Sequence, residues 1–183
     1  MAASSTKSTV RGGRINTIQV VEKAIELRAK AIKNGHPYDA VWAVFDKDDF
    51  PAASFNAAIS KAERNGIGCA WSNEAFELWY VFHFANRVTP MSRNEYSKAI
   101  GDYISSSPKF RGKYTYKKND SQTHLLLTTH GDEAQAIRYA EKQEESYGDN
   151  RYAQHNPSTT VYKLVRLLRG EDTDFNSKLI ADL

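Results

Sequence analysis

The sequence predicts an α/β domain: a parallel sheet flanked by helices, followed by a mostly helical C-terminal half. Three observations lead there. Residues 16–72 alternate between stretches of helical period and short apolar runs, the pattern of helices packed on strands that run the same way. The helical stretches end in turn residues, Asn34-Gly35 and Asn65-Gly66. The chain has 183 residues, 40% of them apolar and 11% aromatic, which at roughly 150 residues per domain is one domain with a real core.

The elements follow in order. Residues 1–14 are small, polar and basic and read as a flexible lead-in to a single domain over 15–183. Ile18, Val21, Ile25, Ala29 and Ile32 fall on one face of a first helix, with Pro37 just beyond its stop. Ala40–Phe45 is continuously apolar and suits a strand buried on both faces. A second helix, near 55–65, turns Phe55, Ala58, Ile59 and Ala62 one way. A short strand, Ile67–Trp71, leads to Ser72-Asn73, read as the cap of a helix over Glu74–Phe84 that is apolar nearly all round. Ser92–Ile104 and Asp132–Ser146 are expected to be helical and Ser105–Asp120 a loop. Asn156–Thr160 is expected to cap a last helix with Val161, Leu164, Val165 and Leu168 inward.

Composition excludes several classes. One cysteine rules out a disulfide framework and a cysteine-based zinc site. The longest apolar run is too short to span a bilayer, and the start lacks the apolar stretch of a signal peptide. These features predict an intracellular, cytoplasmic protein with no membrane partner. The 25 basic and 22 acidic residues divide evenly between the halves, so any basic surface must be local.

Three features could carry chemistry. Asp46-x-Asp48 follows a buried strand at its carboxyl end, where open α/β sheets bind ligands, and Asp49 adds a third charge. Crowded anions repel unless a cation sits among them, and oxygen ligands favour Mg²⁺ or Mn²⁺. The competing reading is a solvated acidic loop before a helix. Glu77 lies inside an apolar helix; a buried carboxylate needs a partner or a shifted pKa, and a structural ion pair would satisfy it equally. Between Lys109 and Lys118, the cations Lys109, Arg111, Lys113, Lys117 and Lys118 interleave with Phe110, Tyr114 and Tyr116. Cations engage phosphates and rings stack on bases, so this is the best nucleic-acid segment, though a solvated loop has the same composition. Cys69 reads as inert core, and His36, His83, His124, His130 and His155 show no metal spacing.

A D-x-D after an apolar strand occurs in dehalogenase-type phosphatases, glycosyltransferases and Toprim domains. The first needs a later strand ending in paired acids, and the second a larger fold. Mg²⁺-dependent phosphodiester chemistry of the Toprim kind agrees best with chain size and the basic loop.

Four motifs then occur in order: Val41-Trp-Ala-Val-Phe-Asp46-Lys-Asp48-Asp49-Phe50, Phe55-Asn56-x-Ala58-Ile59, Ser72-Asn73-x-x-Phe76-Glu77-Leu78-Trp79 and Asn156-Pro157-Ser158-Thr159-Thr160-Val161. Over about residues 16–169 the chain resembles the RloB-like, or AbiLii-like, family of bacterial phage-defence proteins. The resemblance implies a Toprim-like fold, Mg²⁺-dependent nuclease chemistry in abortive infection, and association with a partner ATPase. It makes Asp46 and Asp48 metal ligands beside Asp49, Glu77 a site residue, and the Asn156–Thr160 turn a site-lining segment or cap. It also implies a first strand ending in Glu-Gly. No apolar strand with such a Glu precedes Ile18, and the first acid is Glu22, so the domain is expected to lack that strand and its general acid/base. Position 74 is Glu where the family often has a small residue or Pro. Two functions are expected from this: a metal-dependent nuclease of DNA or RNA (tRNA included), or a non-catalytic Toprim-like module that binds nucleic acid and regulates the ATPase. A homo-oligomer is left open.

Overall fold

The computed structural model describes residues 16–171. The lead-in expected at 1–14 lies outside them, as do the segment before Asn16 and the end of the expected domain beyond 171. Within these bounds the chain is a mixed α/β fold, mostly helical, with a three-stranded sheet.

The first helix, α1 (Thr17–Lys33), starts on a capping box: the Asn16 side chain accepts from the Gln19 amide at 2.9 Å, and the Gln19 side chain accepts from the Asn16 amide at 3.0 Å. It buries Thr17, Val21, Ala24 and Ala31, while Ile32 is exposed. The buried stripe is therefore rotated from the predicted one. Small residues face the sheet and let the helix lie close, with Ile18 and Ile25 on its flanks.

Strand β1 (Trp42–Asp46) and β2 (Gly68–Asn73) pair in parallel, joined by α2 (Ala52–Arg64), whose Phe55, Ala58, Ile59 and Ala62 are buried as the spacing predicts. The α1/α2 face of the sheet carries Ala43, Phe45 and Trp71. Phe55 meets Phe45 and Trp71 edge-on at 5.7 and 5.6 Å between ring centroids. Gly68 is required by a close approach, because a Cβ there would lie 2.4 Å from the Trp42 ring.

The opposite face packs against the second half of the chain. Helices α3 (Glu77–Phe82), α4 (Arg93–Ser106), α5 (Thr123–His130), α6 (Glu133–Glu145) and α7 (Val161–Leu168) supply a core around Leu78, Phe82, Tyr96, Ile100, Ala140 and Val161. Helices α3 and α7 lie over β2 and α6 over the third strand, β3 (Ser158–Thr159). This cover leaves Val44 of β1 43% exposed, so β1 is not buried on both faces as its composition predicts.

Three further expectations are corrected. The sheet is not wholly parallel: β3 runs antiparallel to β2, pairing Ser72 with Thr159 and Asn73 with Ser158. Hydroxyl groups extend this short ladder, Thr160 Oγ1 accepting from the Trp71 amide at 2.9 Å and donating to the Cys69 carbonyl at 3.0 Å. Ser72-Asn73 belongs to β2 rather than capping α3, and the Asn73 side-chain amide donates to the Ala153 carbonyl at 3.0 Å. Leu168 points outward, because Lys163–Glu144 and Arg166–Glu141 pairs at 2.6 and 2.7 Å set how α7 lies on α6.

Candidate functional site

Strand alternation sends Asp46 to the face opposite Phe45, the side where β1 is incompletely covered. Beyond Asp46 the backbone stays tied to β2: the Lys47 amide donates to the Ser72 carbonyl at 2.9 Å and the Asp48 amide to the Glu74 carbonyl at 3.1 Å. Asp48 takes φ +47, a left-handed conformation that Asp tolerates better than most residues. This turn holds two carboxylates at one sheet edge. Asp49 is exposed beside them.

The cation that such crowding demands comes from the chain itself. Arg93, in the first turn of α4, places one nitrogen, Nη2, 3.0 Å from Asp46 Oδ2 and 2.9 Å from Asp48 Oδ1. Its Nε is buried with no hydrogen-bond partner. Sequence reasoning missed Arg93, 47 residues from Asp46. A signal existed, however. Ser92-x-x-Glu95 is a capping box, so Arg93 stands at the positive pole of a helix, where a cation is disfavoured unless an anion compensates.

Glu77 is placed elsewhere in the network. It is 6% exposed, its Oε1 accepts from the Tyr116 hydroxyl at 3.1 Å, and its Oε2 is buried without a partner. Burial, then the Glu77 charge, pushes the Tyr116 and Tyr80 phenols above their usual range. Among the described residues no three His, Cys, Asp or Glu side chains converge as a metal-holding group. The structure thus brings Asp46 and Asp48 together and does not make a metal-holding group of them with Asp49 or Glu77.

The donor chemistry still suits a hard ion. Both groups are carboxylates, Arg93 stands in as a cation between them, and Mg²⁺ commonly takes only one or two carboxylates, filling the rest of its shell with water and phosphate. Asp46 and Asp48 are the residues that would hold it.

In the basic segment, Lys109, Arg111, Lys113, Lys117 and Lys118 are all exposed. Its tyrosines serve as anchors instead of free stacking surfaces. Tyr116 is buried against the helical core, and Tyr114 donates to Asp120 at 2.7 Å while burial raises its phenol to about 12. Gly101 lets the loop approach α4, with the Tyr114 carbonyl 3.1 Å from where a Cβ would be. Thr115 and residues 117–122, Lys117 and Lys118 among them, border an open groove of about 570 Å³.

Other groups have structural roles. Burial pushes the Cys69 thiol to about 12, away from any nucleophilic use. His83 Nδ1 bonds the Trp79 carbonyl at 2.9 Å, and His155 stacks on Tyr147 at 4.3 Å with Nε2 on Asp149. The Asn156–Thr160 turn does two jobs. Thr159 shares a 2.7 Å hydrogen bond with Ser72, the residue in register with Asp46, and it accepts from the Val161 amide at 3.3 Å at the start of α7.

Comparison with known proteins adds a family assignment. The family described as RloB-like protein matches residues 2–168. No curated protein and no solved structure matches the chain significantly. With nearly its whole length covered by that match, the chain belongs to the RloB-like family.

Proposed function

We propose that the protein is a Mg²⁺- or Mn²⁺-dependent phosphodiesterase acting on nucleic acid, Toprim-like in its site, and that it serves in bacterial anti-phage abortive infection beside a partner ATPase in the cytoplasm. The observation that carries this reading is the convergence of Asp46 and Asp48 on one cation at the carboxyl end of β1. A divalent ion bound there supplies neutralisation of a phosphate and activation of water or a leaving group.

The chain's own contributions follow from position. Asp46 and Asp48 hold the ion, and the turn tied to β2 keeps both carboxylates at the sheet edge. The five exposed cations of residues 109–118 grip the phosphate backbone of DNA or RNA without reading bases. Glu77 acts as a positioning residue in this scheme: through Tyr116 it fixes the basic loop to α3.

Incubation with single- and double-stranded DNA and with RNA, including tRNA, tests the reading in Mg²⁺, Mn²⁺ or chelator beside Asp46→Ala. Metal-dependent cleavage that disappears in Asp46→Ala is the expected result. A second reading, a non-catalytic nucleic-acid-binding module that regulates the ATPase, is favoured by the lack of a third converging ligand among the described residues. Equal, metal-independent binding by both proteins with no cleavage would establish that second reading instead.

A further inference from the structure

The position of Arg93 is hard to explain as helix chemistry. Its charge opposes the α4 dipole, and the Ser92–Glu95 capping box already satisfies that helix end. Its hydrogen bonding is also poor for a guanidinium. The side chain is suited to bidentate pairing, yet a single Nη2 serves two carboxylates while Nε is buried without an acceptor. All three side chains are roughly one-third exposed, at 34%, 27% and 38% for Arg93, Asp46 and Asp48, so solvent and ions reach the pair. Ion pairs in such places contribute little and break readily.

We propose that Arg93 is a built-in competitor of the divalent cation: it occupies the place between Asp46 and Asp48, holds the carboxylates together in the metal-free protein, and must be displaced for the ion to bind. The inference rests on the reading of Asp46 and Asp48 as ligands and specifies how that site is regulated. Adjacent carboxylates repel, so Arg93 favours the geometry that the metal needs while lowering the apparent affinity for it. Loading then becomes an exchange of one cation for another, not the filling of a vacant cage.

The experiment is a Mn²⁺ titration of the full chain, followed by the paramagnetic resonance signal of free Mn²⁺, with wild type, Arg93→Gln, Arg93→Lys, Asp46→Asn and Asp48→Asn. Arg93→Gln removes the competing charge and is expected to tighten Mn²⁺ binding about three- to tenfold, with Arg93→Lys in between. Without metal, Arg93→Gln melts below wild type because the carboxylates lose their counterion. Saturating Mn²⁺ therefore raises its Tm by more than it raises that of wild type. Asp46→Asn and Asp48→Asn lose the binding. If Arg93→Gln does not fold, Arg93→Lys, which keeps the charge but not the fork, carries the test alone. Binding by the Arg93 variants that equals or falls below wild type, with Asp46→Asn still inactive in binding, overturns the competitor role and leaves the metal site standing. Binding by Asp46→Asn and Asp48→Asn that matches wild type overturns the metal site and the competitor role together.

Discussion

The contact between Tyr116 and Glu77 is where the helical core, the buried carboxylate and the basic loop meet, and Tyr116→Phe isolates it. The substitution keeps the buried ring and removes only the hydroxyl that donates to Glu77 Oε1 at 3.1 Å. Because Oε2 already has no partner, the 6%-exposed carboxylate is then left without a hydrogen bond from this side of the fold. A hydrogen bond to a charged group contributes about 1.5–3 kcal/mol, and the long distance puts this one at about 2 kcal/mol. For a chain of this size that corresponds to a fall in Tm of about 4–8 °C. Differential scanning calorimetry reads the shift, and Tyr80→Phe, whose hydroxyl makes no such bond, is the control. Limited trypsin digestion supplies a second readout, since Arg111, Lys113, Lys117 and Lys118 lie exposed on the loop that Tyr116 anchors. Cleavage there is expected to accelerate in Tyr116→Phe and not in Tyr80→Phe. A Tm change below about 1 °C with unchanged digestion would refute the anchoring argument.

Gly68→Ala forces a methyl group against the Trp42 ring and is expected to cost about 1–3 kcal/mol, seen as a lower urea midpoint at unchanged slope. An unchanged midpoint would contradict the close approach. The phenols of Tyr96, Tyr116 and Tyr162 are raised above the ordinary value of 10.0, chiefly by burial. Their folded values exceed the unfolded ones, so the stability they contribute is complete below pH 10 and is lost as pH rises above it. Urea midpoints should therefore fall from about pH 9 to about pH 11, and less steeply in Tyr116→Phe. Replacing Lys117 and Lys118 by Glu should weaken nucleic-acid binding regardless of sequence and reduce the salt slope by about 0.7–0.9 for each phosphate that is no longer neutralised. An unaltered slope would exclude these lysines from the interface.

What was legible in the sequence divides along a physical line. The alternation of helix and strand over 16–72 depends on local spacing, so the parallel β1–α2–β2 unit and the buried face of α2 were readable from residues 40–71. The α1 stripe was misjudged by side-chain size. The isoleucines suggested one face, while packing selected the one bearing Ala24 and Ala31. Strand β3 carries no periodic signal in two residues, and its ladder is completed by Thr159 and Thr160 hydroxyls. In the site, Asp46 and Asp48 were legible as neighbouring carboxylates because strand end and spacing both marked them. Arg93 was not, since its pairing with them is set by where α4 begins in three dimensions. The basic loop was legible as charge, but the anchoring of Tyr114 and Tyr116 depends on partners at 120 and 77.

Asp46 and Asp48 are proposed to form a divalent-cation site at the end of β1. Crystals grown with millimolar Mn²⁺ and measured for anomalous scattering test it most directly. The expected result is an anomalous peak at the Asp46 and Asp48 carboxylates, with the Arg93 guanidinium moved off them. An empty map at that position, with Arg93 still bonded to both aspartates, would contradict it.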